Sequence, residues 1–186
     1  LLVDDASTDA TPSILCALEE SDTRIKVTRC SVNAGPAAAR NLAIARAKGR
    51  YIAFLDSDDL WRHDKLEKQL NLFQRTGAPL VYSAYEKINE EGERRGRIVR
   101  VPGSVTYDEM LSATIIATCT AVYDTARVGK VLMPEIRKRQ DFALWLKILR
   151  QAAPAKGLAE PLAYLRKRPG SVSSNKFSAL SYTWQV

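Results

Sequence analysis

From Leu1 to Ser83, short β-rich apolar runs alternate with helical patterns, and this alternation constrains the fold more than any other feature of the chain. Leu1-Leu2-Val3 reads as a strand, Thr11 and Pro12 as the N-cap and first position of a helix reaching Glu20, and 25–28 as a second strand. A helix is expected from Gly35-Pro36 to Gly49, and a third strand over 51–55. An amphipathic helix over 64–74 carries Leu66, Leu70 and Phe73 at helical spacing, and a further strand follows over 79–83. Repetition of this kind builds an α/β fold, a mainly parallel sheet with right-handed crossovers and flanking helices. Past Ser83 the regularity fades. Residues 90–93 suit a hairpin or loop tip, Thr106 and Glu109 have capping-box spacing, and 114–123 is β-branched enough for a strand. A helix is expected over 141–152, with Phe142, Trp145 and Leu149 facing the core.

Carboxylates gather where that sheet would end. In an open α/β sheet, ligands bind beyond the carboxyl ends of the strands. Asp4 and Asp5 close the first strand, and the run YIAFLDSDD (51–59) closes the third with Asp56, Asp58 and Asp59. Like charges this close repel and are costly to desolvate unless a cation sits among them. Strand alternation sets Asp56 and Asp58 on one side and Ser57 on the other, so both acids could face a Mg²⁺ or Mn²⁺ completed by substrate phosphates. The plainer alternative is that Asp58 or Asp59 caps the next helix, although one cap does not require three acids.

Length and charge set the outer limits. The 186 residues, 46% of them apolar, suit one globular domain over 1–186. The net charge of +7 favours anionic partners. Basic residues cluster at Arg94, Arg95, Arg97 and Arg100, at Arg137 to Arg139, and at Arg166 to Arg168, with no interleaved aromatics to stack nucleic-acid bases. Cys16, Cys30 and Cys119 form neither a disulfide framework nor a zinc motif, which leaves buried free thiols as the expectation. No run approaches a membrane span and no leader pattern opens the chain, so a cytoplasmic protein is expected. Neither G-x-G-x-x-G nor the P-loop motif occurs.

LLVDDASTDAT, NAGPAAARNLAIARAKGRYIAFLDSDDLW and RQDFALWLKIL, in this order and at these separations, closely resemble the family 2 glycosyltransferases, inverting enzymes of GT-A fold. The resemblance implies transfer of one sugar from a nucleotide diphosphate sugar to an acceptor hydroxyl, assisted by a divalent cation, Mn²⁺ or Mg²⁺. By position it implies that Asp5 contacts the nucleotide base, Gly35 and Arg40 line the nucleotide pocket, Asp56 lies near the ribose and Asp58 binds the metal. Asp141 matches the general base, and inversion in one displacement needs such a base opposite the leaving group. Gln140 stands where the family often has Glu. Arg166 and Ser171 fall in the stretch closing the family's catalytic domain, with Arg166 expected near phosphate.

The Q-x-x-R-W pattern of processive synthases is absent, which favours single-sugar transfer. The resemblance further implies bacterial surface polysaccharide synthesis on a saccharide or lipid-linked saccharide acceptor. Peripheral contact with the inner membrane face through Arg137 to Arg139 accompanies it. The family's first strand and helix precede the point where this chain starts. N-terminal truncation and self-association through an exposed strand edge are therefore expected. Two alternatives come from other classes: a receiver-type phosphoacceptor domain, which LLVDDAS would suit, and a non-catalytic sugar-nucleotide binding module. The receiver lacks a Met-Pro turn and a late-strand lysine here.

Overall fold

The computed structural model describes residues 1–136 and 138–167. Strand β1 (Leu2–Asp4) lies parallel to β2 (Val27–Arg29), with helix α1 (Thr11–Ser21) as the crossover between them. Helix α2 (Pro36–Arg46) starts after Gly35, whose φ of 87° glycine adopts without a Cβ penalty. Its first residue is proline, which needs no amide partner there.

The chain then forms β3 (Tyr51–Ala53), β4 (Leu60–Trp61), α3 (Lys65–Thr76), β5 (Leu80–Ile88), β6 (Arg94–Val99), β7 (Ser104–Val105) and α4 (Tyr107–Ser112). A 3₁₀ turn (Thr118–Thr120), β8 (Val122–Asp124), α5 (Thr125–Val128), α6 (Gln140–Gln151) and β9 (Ala155–Arg166) follow. A seven-stranded sheet runs β3-β8-β5-β9-β4, with β6 on β5 and β7 on β9. The α/β class is as expected, but the sheet is mixed. Only β5–β9 is parallel within it, because hairpins and short returns bring in the later strands past Ser83, where the regular alternation fades.

Three local expectations change. The strand foreseen over 114–123 contracts to β8, and the residues before it turn instead of extending. Third-strand pairing ends at Ala53, so 56–59 is a turn closed by the Asp59 amide on the Asp56 carbonyl at 3.0 Å, and alternation does not govern the acids. Helix α3 buries Lys65, Gln69 and Phe73, while Leu66 stays 43% exposed. Burying a lysine needs compensation. The Lys65 ammonium donates to Gln69 Oε1 at 2.6 Å and lies 4.2 Å from the Trp61 ring centroid.

The same face of α3 supports the 3₁₀ turn. Gln69 Nε2 donates to the Thr120 carbonyl at 2.8 Å, and Trp61 Nε1 to the Cys119 carbonyl at 2.7 Å. The expected capping box forms between Thr106 and Glu109. Phe142, Trp145 and Leu149 are buried as their spacing predicts. The Phe54 ring meets Trp145 edge-on at 6.0 Å and Tyr123 at 6.3 Å, so the strand leading to Asp56 packs on the helix bearing Asp141. Of the free cysteines, Cys119 alone is fully buried, and Cys16 is exposed.

Candidate active site

The loop after β1 holds the first pair of acids. Asp4 is buried, accepts the Ser7 amide at 3.0 Å and lies 3.5 Å from Arg29; the Ser7 contact, then Arg29, holds its carboxyl below the usual range. The Asp5 carboxylate accepts the amides of Ala34 at 2.9 Å and Gly35 at 2.7 Å, and its carbonyl takes Asn33 Nδ2 at 3.1 Å. Asp5 and Gly35, expected on one nucleotide, are therefore in direct contact. A cavity of about 450 Å³ opens beside them, lined by 34–38 at the head of α2 and by Glu135, Ile136 and Gln140 ahead of Asp141.

Arg40 reaches from α2 to the acid turn, with Nη2 2.5 Å from Asp56 Oδ1. Asp59 is buried and caps no helix; α3 has Asp64 at its N-cap position. Burial pushes the Asp59 carboxyl up, while the Arg166 amide donates to Asp59 Oδ1 at 3.0 Å. The Arg166 guanidinium donates to the carbonyls of Asp58 at 2.8 Å and Asn89 at 3.1 Å, and also to that of Glu90. In this arrangement its charge ties the acid turn to the β5–β6 turn, a tethering role that the sequence did not suggest. Ser171, Arg168 and Arg137 lie outside the described residues.

Asp141 sits in the first turn of α6. Its Oδ2 accepts the Thr118 hydroxyl at 2.7 Å and its Oδ1 the Phe142 amide at 2.9 Å. It is not the N-cap; Arg139 holds that position with φ 62°. Ala6, directly after Asp5, has the same φ of 62°. Left-handed backbone at a non-glycine residue costs roughly 1–3 kcal/mol and concentrates at functional sites. Both such residues flank acids of this site.

The 3₁₀ turn joins the two acid groups. Thr118 contacts Asp141, while the thiol of adjacent Cys119 lies against Asp59, and burial pushes that thiol up. Sequence reasoning missed this turn because a β-branched stretch resembles a strand. The signal available was its spacing of hydroxyls, Thr118 and Thr120 around Cys119.

Among the described residues, no three His, Cys, Asp or Glu side chains converge to hold a metal alone. Asp58, half-buried in the turn, offers hard oxygen donors, which suits an ion whose remaining shell is phosphate and water.

The family profile for glycosyl transferase family 2 matches residues 1–130. The chain is 44% identical over 186 residues to the putative teichuronic acid biosynthesis glycosyltransferase TuaG of Bacillus subtilis, covering 100% of this chain and 74% of that protein. It is 37% identical over 187 residues to WfgD of Escherichia coli, a UDP-Glc:α-D-GlcNAc-diphosphoundecaprenol β-1,3-glucosyltransferase, covering 100% of this chain and 72% of WfgD. S. aureus TarS superposes with a TM-score of 0.75 at 24% identity, over 93% of this chain and 51% of the TarS chain. The chain thus spans about three-quarters of these relatives and about half of TarS. With that fold, and with the three acidic motifs in register, the chain belongs to glycosyl transferase family 2 and has the GT-A architecture.

Proposed function

We propose that the chain forms a single catalytic domain of a non-processive, inverting glycosyltransferase. It would transfer one sugar from a nucleotide diphosphate sugar to a hydroxyl of a lipid-linked saccharide in surface polysaccharide synthesis. The observation that carries this is the 3₁₀ turn, which contacts Asp141 through Thr118 and Asp59 through Cys119. A proton acceptor and a phosphate-facing acid turn thereby share one support. Two relatives favour the substrate classes: TuaG is named for teichuronic acid biosynthesis, and WfgD for a UDP-Glc donor and a diphosphoundecaprenol-linked acceptor. The TarS structure was solved with UDP-GlcNAc.

In this proposal the nucleotide lies against Asp5 and Gly35 and runs past Arg40 and Asp56 into the cavity at the head of α2. Asp58 would hold a divalent cation, Mn²⁺ or Mg²⁺, which when bound offsets the charge growing on the departing diphosphate. Asp141 takes the acceptor proton as the new bond forms. Thr118 and the Phe142 amide hold its carboxylate in one orientation. Arg166 serves the phosphates indirectly, by fixing the turn that carries Asp58. No described helix is long and apolar enough to cross a membrane, and a peripheral position through Lys138, Arg139 and their neighbours fits a lipid-linked acceptor.

The test is transfer by Asp141→Asn, with UDP-glucose and a GlcNAc-diphospholipid as probes. Turnover should fall about 10²–10⁴-fold while UDP affinity stays within about threefold, since a general base acts mainly in the transition state. Undiminished transfer would place the base elsewhere. UDP binding without turnover in the parent would favour the non-catalytic module.

A further inference from the structure

Antiparallel pairing of β5 with β6 puts Lys87 directly opposite Arg97. Like charges in that position weaken a sheet. Two neighbouring cations are engaged elsewhere: Arg94 pairs with buried Glu86 at 2.7 Å, and the Arg166 guanidinium donates to main-chain carbonyls. Lys87 and Arg97 form no ion pair with the described residues, and nearby Arg100 is exposed. Of the acids in the adjoining turn, Glu93 is bonded to Asn89.

The pair also lies at the edge of the proposed site. Lys87 is in register with Leu165 of β9, whose next residue, Arg166, donates its amide to Asp59. Arg97 and Asp59 both act electrostatically on Tyr85, which sits two residues before Lys87 on the same face of β5. An ammonium beside a forked guanidinium suits an anion with several oxygens, and phosphate esters match the fork.

The geometry points to a second phosphate site, in which Lys87 and Arg97 bind the diphosphate of a lipid-linked acceptor. This rests on the glycosyltransferase proposal, where donor phosphates belong to Asp58 and its metal. An acceptor sugar on a diphosphate carrier brings a second diphosphate to the same active site, and this pair is a cationic feature beside the acid turn that forms no ion pair with the described residues. The carrier would then be gripped through its headgroup instead of its lipid tail.

The test is calorimetric titration of the whole protein, saturated with UDP and Mn²⁺, using farnesyl-diphospho-α-GlcNAc and phosphate-free octyl α-GlcNAc. The parent should bind the diphosphate ligand about tenfold or more tightly than the octyl glycoside, as charge-assisted contacts imply. Combined Lys87→Gln and Arg97→Gln should remove that preference and leave UDP affinity unchanged, while Lys87→Arg retains it. Equal affinity in parent and double variant, or no preference in the parent, overturns the proposal. So does a loss seen only in UDP affinity, or only in binding to phosphatidylglycerol vesicles, because those place the phosphate on the donor or the membrane. A parent that binds no UDP contradicts the donor assignment, and the inference with it.

Discussion

In the proposed mechanism Thr118 decides how well Asp141 can act, because a carboxylate free to rotate spends little time aimed at the acceptor proton. Its hydroxyl donates to Asp141 Oδ2 at 2.7 Å from a turn held by Gln69 and Trp61. Thr118→Val keeps the shape and removes the donor. We expect kcat to fall about ten- to hundredfold, the range that misplacement of a catalytic group costs. The donor KM should stay near the parent value, and Thr118→Ser should recover most of the rate. An equal loss in donor affinity, or no recovery with serine, would reduce Thr118 to a structural residue. Arg166 illustrates the limit of sequence reading for single residues. Its place in the stretch closing the family's catalytic domain was legible, but its engagement with three carbonyls depends on pairing between strands far apart in sequence.

Helix α3 places a lysine where its pattern suggests leucine. Burial pushes the Lys65 ammonium down to about 8 from 10.5. The folded pKa lies below the unfolded one, so between pH 8 and 10.5 the unfolded chain binds more protons, and the stability due to this group rises with pH. A shift of this size corresponds to about 3 kcal/mol. Denaturant titrations of parent and Lys65→Met at pH 7.5 and 10 should therefore show the parent gaining on the variant by up to that amount. Comparing the two separates Lys65 from Cys119, Tyr82 and Tyr123, whose buried groups are pushed up and titrate in the opposite sense. A constant difference would mean that Lys65 is not desolvated. The first helices and the core face of α6 could be read from periodicity, and the capping box from its chemistry, because both are local; the start of α1 differs by one residue, since Ala10 and not Thr11 holds its N-cap position. The buried face of α3, the 3₁₀ turn and the long β9 could not be. Their conformations are set by tertiary partners: Thr120 for Gln69, Asp141 for Thr118, and β5 for β9.

For the whole molecule, the acid turn, α2 and α6 are brought together by one core in which Phe54 packs on Trp145, so ligand binding at the turn should stabilise the entire fold. The acids were legible as a candidate site because carboxylates so close together need a cation. Their geometry was not legible, since it comes from the turn closed between Asp59 and Asp56 and from the Arg166 tether. The chain's net charge of +7 favours arrival of an anionic nucleotide. The most direct measurement is thermal unfolding with UDP-glucose, with and without Mn²⁺, in the parent and in Asp58→Asn. A ligand at about a hundred times its Kd adds about 2.7 kcal/mol, or roughly 5–10 °C for a domain of this size. The parent should gain that increment only when Mn²⁺ is present, and Asp58→Asn, which keeps the size of the side chain, should lose it while keeping its ligand-free midpoint within about 2 °C. The same Mn²⁺-dependent gain in Asp58→Asn would contradict a metal-assisted sugar-nucleotide site at this turn.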